Sequence, residues 1–193
     1  MGPLRLWTPV VLAPMAGVTD APFRRLCRIM GESGLPGALR PAGLPAWAAD
    51  APLGADAPSQ MDPEAQTARR VAIPRVDAPA GLYVTEMVTS RALVEGNERT
   101  LDMVRPDPAE RVRSLQLYGV DPAVMARAAT MLVERDLTDH VDLNFGCPVP
   151  KVTKKGGGAA LPWKRDLFVD LLDSVVRACR KAGERAGREI PVT

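Results

Sequence analysis

Apolar positions in this chain fall into two kinds of stretch. Short, largely apolar runs occur at 10–14 (VVLAP), 81–84 (GLYV), 113–118 (RSLQLY) and 140–144 (HVDLN), and another begins at 190–193 (IPVT). Runs of this length, bounded by proline, glycine or asparagine, predict strands of a parallel sheet. Between them, apolar residues recur at helical spacing. Residues 21–30 carry Phe23, Leu26, Cys27 and Met30 on one face and Arg24, Arg25 and Arg28 largely on the other. Residues 90–104 present Leu93, Val94, Leu101 and Val104; residues 122–135 turn Val124, Ala128, Met131 and Leu132 toward the sheet; residues 167–181 are amphipathic. Thr19 or Asp20 can cap the first of these helices, with Pro22 in its first turn, and Asp121 caps another with Pro122 at its first position.

Strand and helix thus alternate, which predicts an α/β fold built of parallel βαβ units. Two architectures fit: an open doubly wound sheet, or the first half of an eightfold barrel. No GxGxxG follows the first strand, so the dinucleotide-binding fingerprint is absent. Residues 31–80 break the alternation. They are dominated by Ala, Pro and Gly, with prolines at 36, 41, 45, 52 and 58 and one short helical stretch at 63–70. They read as a Pro/Ala/Gly-rich, mostly disordered insertion.

Composition narrows the function classes. The 193 residues suffice for one domain with a substantial core. Aromatics make up 4%, so Leu, Val, Ala and Met must fill that core. A net charge of +2 does not by itself argue for nucleic acid. Cys27, Cys147 and Cys179 form no CxxC pair, so neither a metal site nor a disulfide framework is expected, and a cytoplasmic location is. No stretch approaches the roughly 18 apolar residues of a membrane span, and no signal peptide is expected.

In either parallel architecture, ligands sit at the C-terminal ends of the strands. Four such ends carry unusual residues: Pro14-Met15-Ala16-Gly17, Thr85-Glu86-Met87, Gln116-Leu117-Tyr118-Gly119 and Asn144-Phe145-Gly146-Cys147-Pro148. Small residues at 14–17 suit close approach to a flat ligand, or simply a strand-to-helix turn. The Gln116 and Asn144 amides can both donate and accept, as a heterocycle edge of mixed polarity requires, or as an ordinary strand-end amide does. Glu86 reads as structural. Cys147 can be a nucleophile, an acid or an inert small hydrophobe. The single histidine, His140, starts the same strand and lies at its opposite end, so a Cys–His nucleophilic pair is geometrically poor. An unassisted thiol is mostly protonated at neutral pH, which suits a proton donor. Lys151, Lys154 and Lys155 precede Gly156, Gly157 and Gly158; they can meet phosphate or form a solvated loop, and the pattern is not a P-loop.

The stretches 12–28 (LAPMAGVTDAPFRRLCR), 81–93 (GLYVTEMVTSRAL), 114–122 (SLQLYGVDP) and 142–162 (DLNFGCPVPKVTKKGGGAALP) together resemble the tRNA-dihydrouridine synthases, a bacterial-type flavoenzyme family. The resemblance implies a (β/α)8 TIM-barrel, truncated here to about its first four β/α units. The C-terminal half-barrel and a helical tRNA-binding domain would lie outside the chain. It implies FMN as cofactor, NADPH or NADH as reductant and tRNA as substrate. Pro14, Met15, Ala16 and Gln116 then correspond to flavin contacts, Asn144 to the residue beside the target uracil and Cys147 to the proton donor. Exposed half-barrel edges would favour self-association. Two other readings stay open: a catalytically inactive half-barrel fragment or interaction remnant, and a flavin oxidoreductase acting on a free pyrimidine.

Overall fold

The computed structural model describes residues 1–6, 10–35 and 77–193. The strands are β1 (Arg5–Leu6), β2 (Val11–Leu12), β3 (Asp77–Ala78), β4 (Leu82–Tyr83), β5 (Val88–Thr89), β6 (Ser114–Tyr118) and β7 (His140–Leu143). The helices are α1 (Ala21–Ser33), α2 (Ser90–Val94), α3 (Glu98–Met103), α4 (Pro122–Glu134), α5 (Pro150–Thr153) and α6 (Arg165–Arg185). Every strand pairing is parallel. β2 pairs with β4, a bridge joins Val84 to Ser114, β6 pairs with β7, and a bridge joins Val141 to Val192. β2, β4, β6, β7 and the segment at Val192 therefore lie side by side in chain order, β1 and β3 form a separate parallel pair, and no closed barrel forms among the described residues.

β5 continues along β6 where β4 leaves off, with Val88 opposite Leu117. Four steps from Val84 to Val88 lie against three from Ser114 to Leu117, a bulge of one residue. Inside it the Thr85 hydroxyl accepts a hydrogen bond from the Gln116 backbone N–H (3.2 Å). The bulge thus replaces a ladder bond with a side-chain bond at a strand end that matters for the site.

β6 and β7 alternate strictly. Leu115, Leu117, Val141 and Leu143 point into a core shared with Ala128 and Leu132 of α4 and Leu171, Val175 and Cys179 of α6. Each fully buried leucine here contributes roughly 1.5–3 kcal/mol. Burial pushes the Cys179 thiol up to about 12, which keeps it an inert packing group. α4 is opened by the Asp121 carboxylate, which accepts from the N–H groups of Ala123 (3.0 Å) and Val124 (3.1 Å).

Three departures from the sequence reading have physical causes. The 90–104 helix is two helices, because Gly96 takes φ +75° and Asn97 then caps α3 through Thr100. The 31–80 segment is narrower than read: 31–33 complete α1, and Asp77–Ala78 pair with Arg5–Leu6. The helix expected at 63–70 lies outside the described residues. The third concerns α1, whose arginine face is the buried one. Arg24 is 3% exposed, whereas Leu26 and Met30 are 49% and 46% exposed. Arg24 Nε donates to the Glu110 carboxylate (2.7 Å) and its Nη1 to the Thr19 carbonyl (2.8 Å), and Arg28 pairs with Glu32. Removal from water raises the Glu110 pKa, against the lowering effect of Arg24.

At the N-terminal ends of β6 and β7, Arg113 forks onto both oxygens of Asp139 (2.7 Å each), with Arg188 bonding the same carboxylate (2.6 Å). Both Arg113 and Asp139 are buried. This knot ties the strand starts together, at the end of the sheet away from the site.

Candidate active site

Ser114 and Gln116 share one face of β6; His140 and Asp142 stand opposite them in register on β7, with Asn144 just beyond. This polar face is the reverse of the apolar one that meets α4 and α6. At its C-terminal end the side chains join. Asn144 Nδ2 donates to Gln116 Oε1 (2.9 Å), Gln116 Nε2 donates to Asp142 Oδ2 (2.6 Å), and Asn144 Oδ1 accepts the backbone N–H of Cys147 (3.0 Å). Three residues singled out in the sequence, Gln116, Asn144 and Cys147, therefore form one hydrogen-bonded run. Asp142 completes it, and the alternation of polar His140, Asp142 and Asn144 with apolar neighbours was the signal that marks it.

The loop bearing Cys147 is held from three sides. Phe145 packs edge-on against Phe168 of α6, with ring centroids 4.8 Å apart. Ala159 N–H donates to the Cys147 carbonyl (3.0 Å). Gly158, at φ +54°, packs so closely that a Cβ would collide with that same carbonyl. One member of the triple glycine is thus a positioning element for the thiol. Cys147 itself is half-buried and unpaired. His140 is remote in role as well as in sequence: it is fully buried, and its ring nitrogens meet Ser114 Oγ (2.7 Å) and Thr193 Oγ1 (2.9 Å). Burial lowers its pKa to about 4, so the ring is neutral.

The 14–17 segment leaves β2 in a turn closed by Val18 and Thr19 N–H groups on the Met15 carbonyl. Gly17 takes φ +74°, and its N–H donates to Glu86 Oε2 (2.6 Å). Glu86 thus anchors this turn, the structural role its sequence suggested. Thr85 links Glu86 to Gln116: its hydroxyl donates to the Glu86 carbonyl (3.0 Å) and receives the Gln116 N–H. Pro14, Met15 and Ala16 therefore reach the Gln116–Cys147 run through Glu86 and Thr85. Met15 and Ala16 are exposed, and among the described residues no atom lies within 4 Å of a Cβ built on Gly17 or Gly146. Open space at Gly146, two residues from the Asn144 amide, fits a flat heteroaromatic group with a donor–acceptor edge. Among the described residues, no cluster of His, Cys, Asp and Glu could hold a metal ion, and no helix is long and apolar enough to cross a membrane.

On the far side of the Cys147 loop lies a cavity of about 210 Å³ between the β6–α4 turn and α5. Val120, Val124 and Val152 contribute its apolar lining, and Tyr118, Lys151 and Lys155 its polar one. Lys151 and Lys155 are exposed and stand one helical turn apart. Lys164 reaches over Gly156.

Residues 11–193 match the family model described as "Dihydrouridine synthase (Dus)". A "Probable tRNA-dihydrouridine synthase" of Mycobacterium tuberculosis (strain ATCC 25618 / H37Rv) is 42% identical over 193 residues, 100% of this chain and 38% of that protein. One of Mycobacterium leprae (strain TN), with the same description, is 47% identical over 183 residues, 95% of this chain and 40% of its own length. The "tRNA-dihydrouridine synthase B" of Pseudomonas aeruginosa is 33% identical over 178 residues, 92% of this chain and 39% of its own. The chain spans about two fifths of the length of these relatives.

Proposed function

The chain belongs to the dihydrouridine synthase family, and from that membership we propose that it carries the proton-donating part of an FMN-dependent tRNA-dihydrouridine synthase, an oxidoreductase that converts a tRNA uridine to 5,6-dihydrouridine. The observation that carries this reading is the run from Gln116 through Asn144 to the backbone of Cys147, at the strand ends where a parallel fold binds its ligand.

Saturating the uracil 5,6 double bond takes a hydride at C6 and a proton at C5. FMN, reduced by NADPH or NADH, supplies the hydride when bound. Pro14, Met15 and Ala16 would line its ring face, and the Gln116 amide would meet its polar edge. Asn144 can read the carbonyl and imide N–H of the uracil together. The Cys147 thiol gives its proton to C5 and becomes a thiolate, which water from bulk solvent reprotonates. Neutral His140 is committed to Ser114 and Thr193, so it does not serve this thiol as a base. The uridine must leave the tRNA stack to reach the thiol.

The side-by-side parallel strands fit the first four β/α units of an eightfold barrel. Val10, just before β2, and Val11 within it are exposed; β4 occupies one side of β2, and the other side would accept a further strand. Left uncovered, that edge favours self-association. The three free thiols fit the reducing cytoplasm, where tRNA is modified.

The test is to incubate unmodified tRNA with the protein, FMN and NADPH, then measure dihydrouridine by nucleoside mass spectrometry. Dihydrouridine formed by the native protein and lost in Cys147→Ala is the expected result. Reduction of free uracil but not tRNA would move the reading to a free-pyrimidine oxidoreductase. Flavin binding with reduction of neither would leave an inactive domain.

A further inference from the structure

We infer that Asp142 is the positioning residue of this site: its carboxylate fixes the orientation of the Gln116 and Asn144 amides and thereby holds the backbone of Cys147. An ionised carboxylate can only accept hydrogen bonds. The group it meets at 2.6 Å must therefore be the NH2 of Gln116, which turns Gln116 Oε1 toward Asn144. Asn144 must then present its own NH2 to Gln116 (2.9 Å), and its Oδ1 is left to accept the Cys147 N–H (3.0 Å). No link can be reversed without setting a donor against a donor or an acceptor against an acceptor.

The other oxygen acts in the same way. Asp142 Oδ1 accepts the hydroxyl proton of Thr193 (2.8 Å), so Thr193 Oγ1 must accept from His140 Nε2 (2.9 Å). His140 Nδ1 then accepts from Ser114 (2.7 Å). One carboxylate sets the direction of every hydrogen bond from Ser114 to Cys147. The consequence for function rests on the proposed reading: the same orientation decides which edge of a bound pyrimidine faces Asn144, relative to the thiol.

The experiment reads the inference without flavin or tRNA, so its failure is distinct from failure of the proposed activity. Amide hydrogen exchange is followed by NMR on the native chain, on Asp142→Asn and on the double variant Asp142→Asn/Gln116→Glu. The single change replaces an acceptor with a group that can do either, so the Cys147 amide should exchange about tenfold faster. The Leu117 and Leu143 amides of the same strands should keep their native rates, which general loosening would not allow. The double variant moves the carboxylate one link along, where it can accept from position 142 and from Asn144. It should return Cys147 exchange to within about threefold of native. Should Asp142→Asn fail to fold, Gln116→Leu cuts the same chain and leaves the Thr193 arm intact, with the same expected loss at Cys147. Native protection of the Cys147 amide in a folded Asp142→Asn or Gln116→Leu protein overturns the inference. So does a folded double variant that restores nothing.

Discussion

Gly158 packs its backbone directly against the carbonyl of Cys147, leaving no room for a Cβ between them. The contact spans the loop that carries the thiol, and the neighbouring Ala159 N–H bonds the same carbonyl at 3.0 Å. Gly158→Ala therefore meets two obstacles, a φ of +54° that costs an alanine about 1–2 kcal/mol and a collision with the thiol's own backbone. The variant should lose a few degrees of Tm and, on the proposed reading, at least about tenfold in uridine reduction, because the loop must shift the Cys147 thiol. Gly146→Ala is the control. Gly146 has no positive φ and open space where its Cβ would go, so Tm should hold while ligand binding weakens. Thermal melts and tRNA reduction assays on both variants check the contrast.

The Arg113–Asp139–Arg188 knot should be structural alone. Asp139→Ala leaves the buried Arg113 guanidinium with only the more exposed Asp136 as a carboxylate partner, and breaking a buried pair costs up to about 3–5 kcal/mol. Denaturant unfolding should show that loss. The partly exposed Arg188 leaves the Arg113–Asp139 fork intact, so Arg188→Ala should cost less. Because the knot lies at the opposite end of β6 and β7 from Cys147, any Asp139 variant that still folds should leave the proposed flavin binding unchanged.

The strand-end motifs were legible because their residue types are rare at the ends of apolar runs: Asn144 and Cys147 stand out in sequence as they do in the fold. Asp142 was legible in principle, since His140, Asp142 and Asn144 alternate with Val141 and Leu143, but an alternating strand does not announce which polar residue governs the others. Gly158 looked like one of three equivalent glycines; its φ of +54° and the approach of a carbonyl 11 residues earlier in sequence separate it from Gly157. The faces of α1 were read correctly as apolar and basic, yet local pattern could not reveal which is buried. That depends on Glu110, 86 positions away, which draws Arg24 inward. Long-range ion pairing of this kind overrides amphipathic periodicity and leaves no local trace.

Buried, neutral His140 gives stability a pH dependence of known sign. Its folded pKa, about 4, lies below the ordinary value of 6.5, so the unfolded chain binds the proton more readily. The stabilisation is complete above pH 6.5 and is lost as pH falls toward 4, to a limit of about 3 kcal/mol. Between pH 6.5 and 5 most carboxylates stay ionised, so a fall in Tm there reports this residue. His140→Gln should flatten the profile in that interval while lowering stability at pH 7. An unchanged slope in that variant would assign the acid sensitivity to other groups.

The proposed tRNA substrate gives Lys151 and Lys155 a role that can be tested. Lys151 lies in α5 and Lys155 in the turn that follows it, both line one cavity, and neither forms a salt bridge among the described residues. A tRNA that delivers a flipped uridine to Cys147 must pass its backbone close to this loop, where two unpaired ammonium groups would meet phosphates. Such contacts release counterions, and each contributes about 0.7–0.9 to the slope of log K against log salt. The double variant Lys151→Glu/Lys155→Glu should bind tRNA more weakly and show a slope lower by about 1.5. Arg180 and Lys181, exposed in the last turns of α6, serve as a charge-matched control, and Arg180→Glu/Lys181→Glu should leave the slope nearly unchanged. Filter binding across a salt series measures both. Equal losses from the two sites would reduce the lysines to a general charge effect, whereas a loss confined to Lys151 and Lys155 puts the RNA backbone across the loop that carries the thiol.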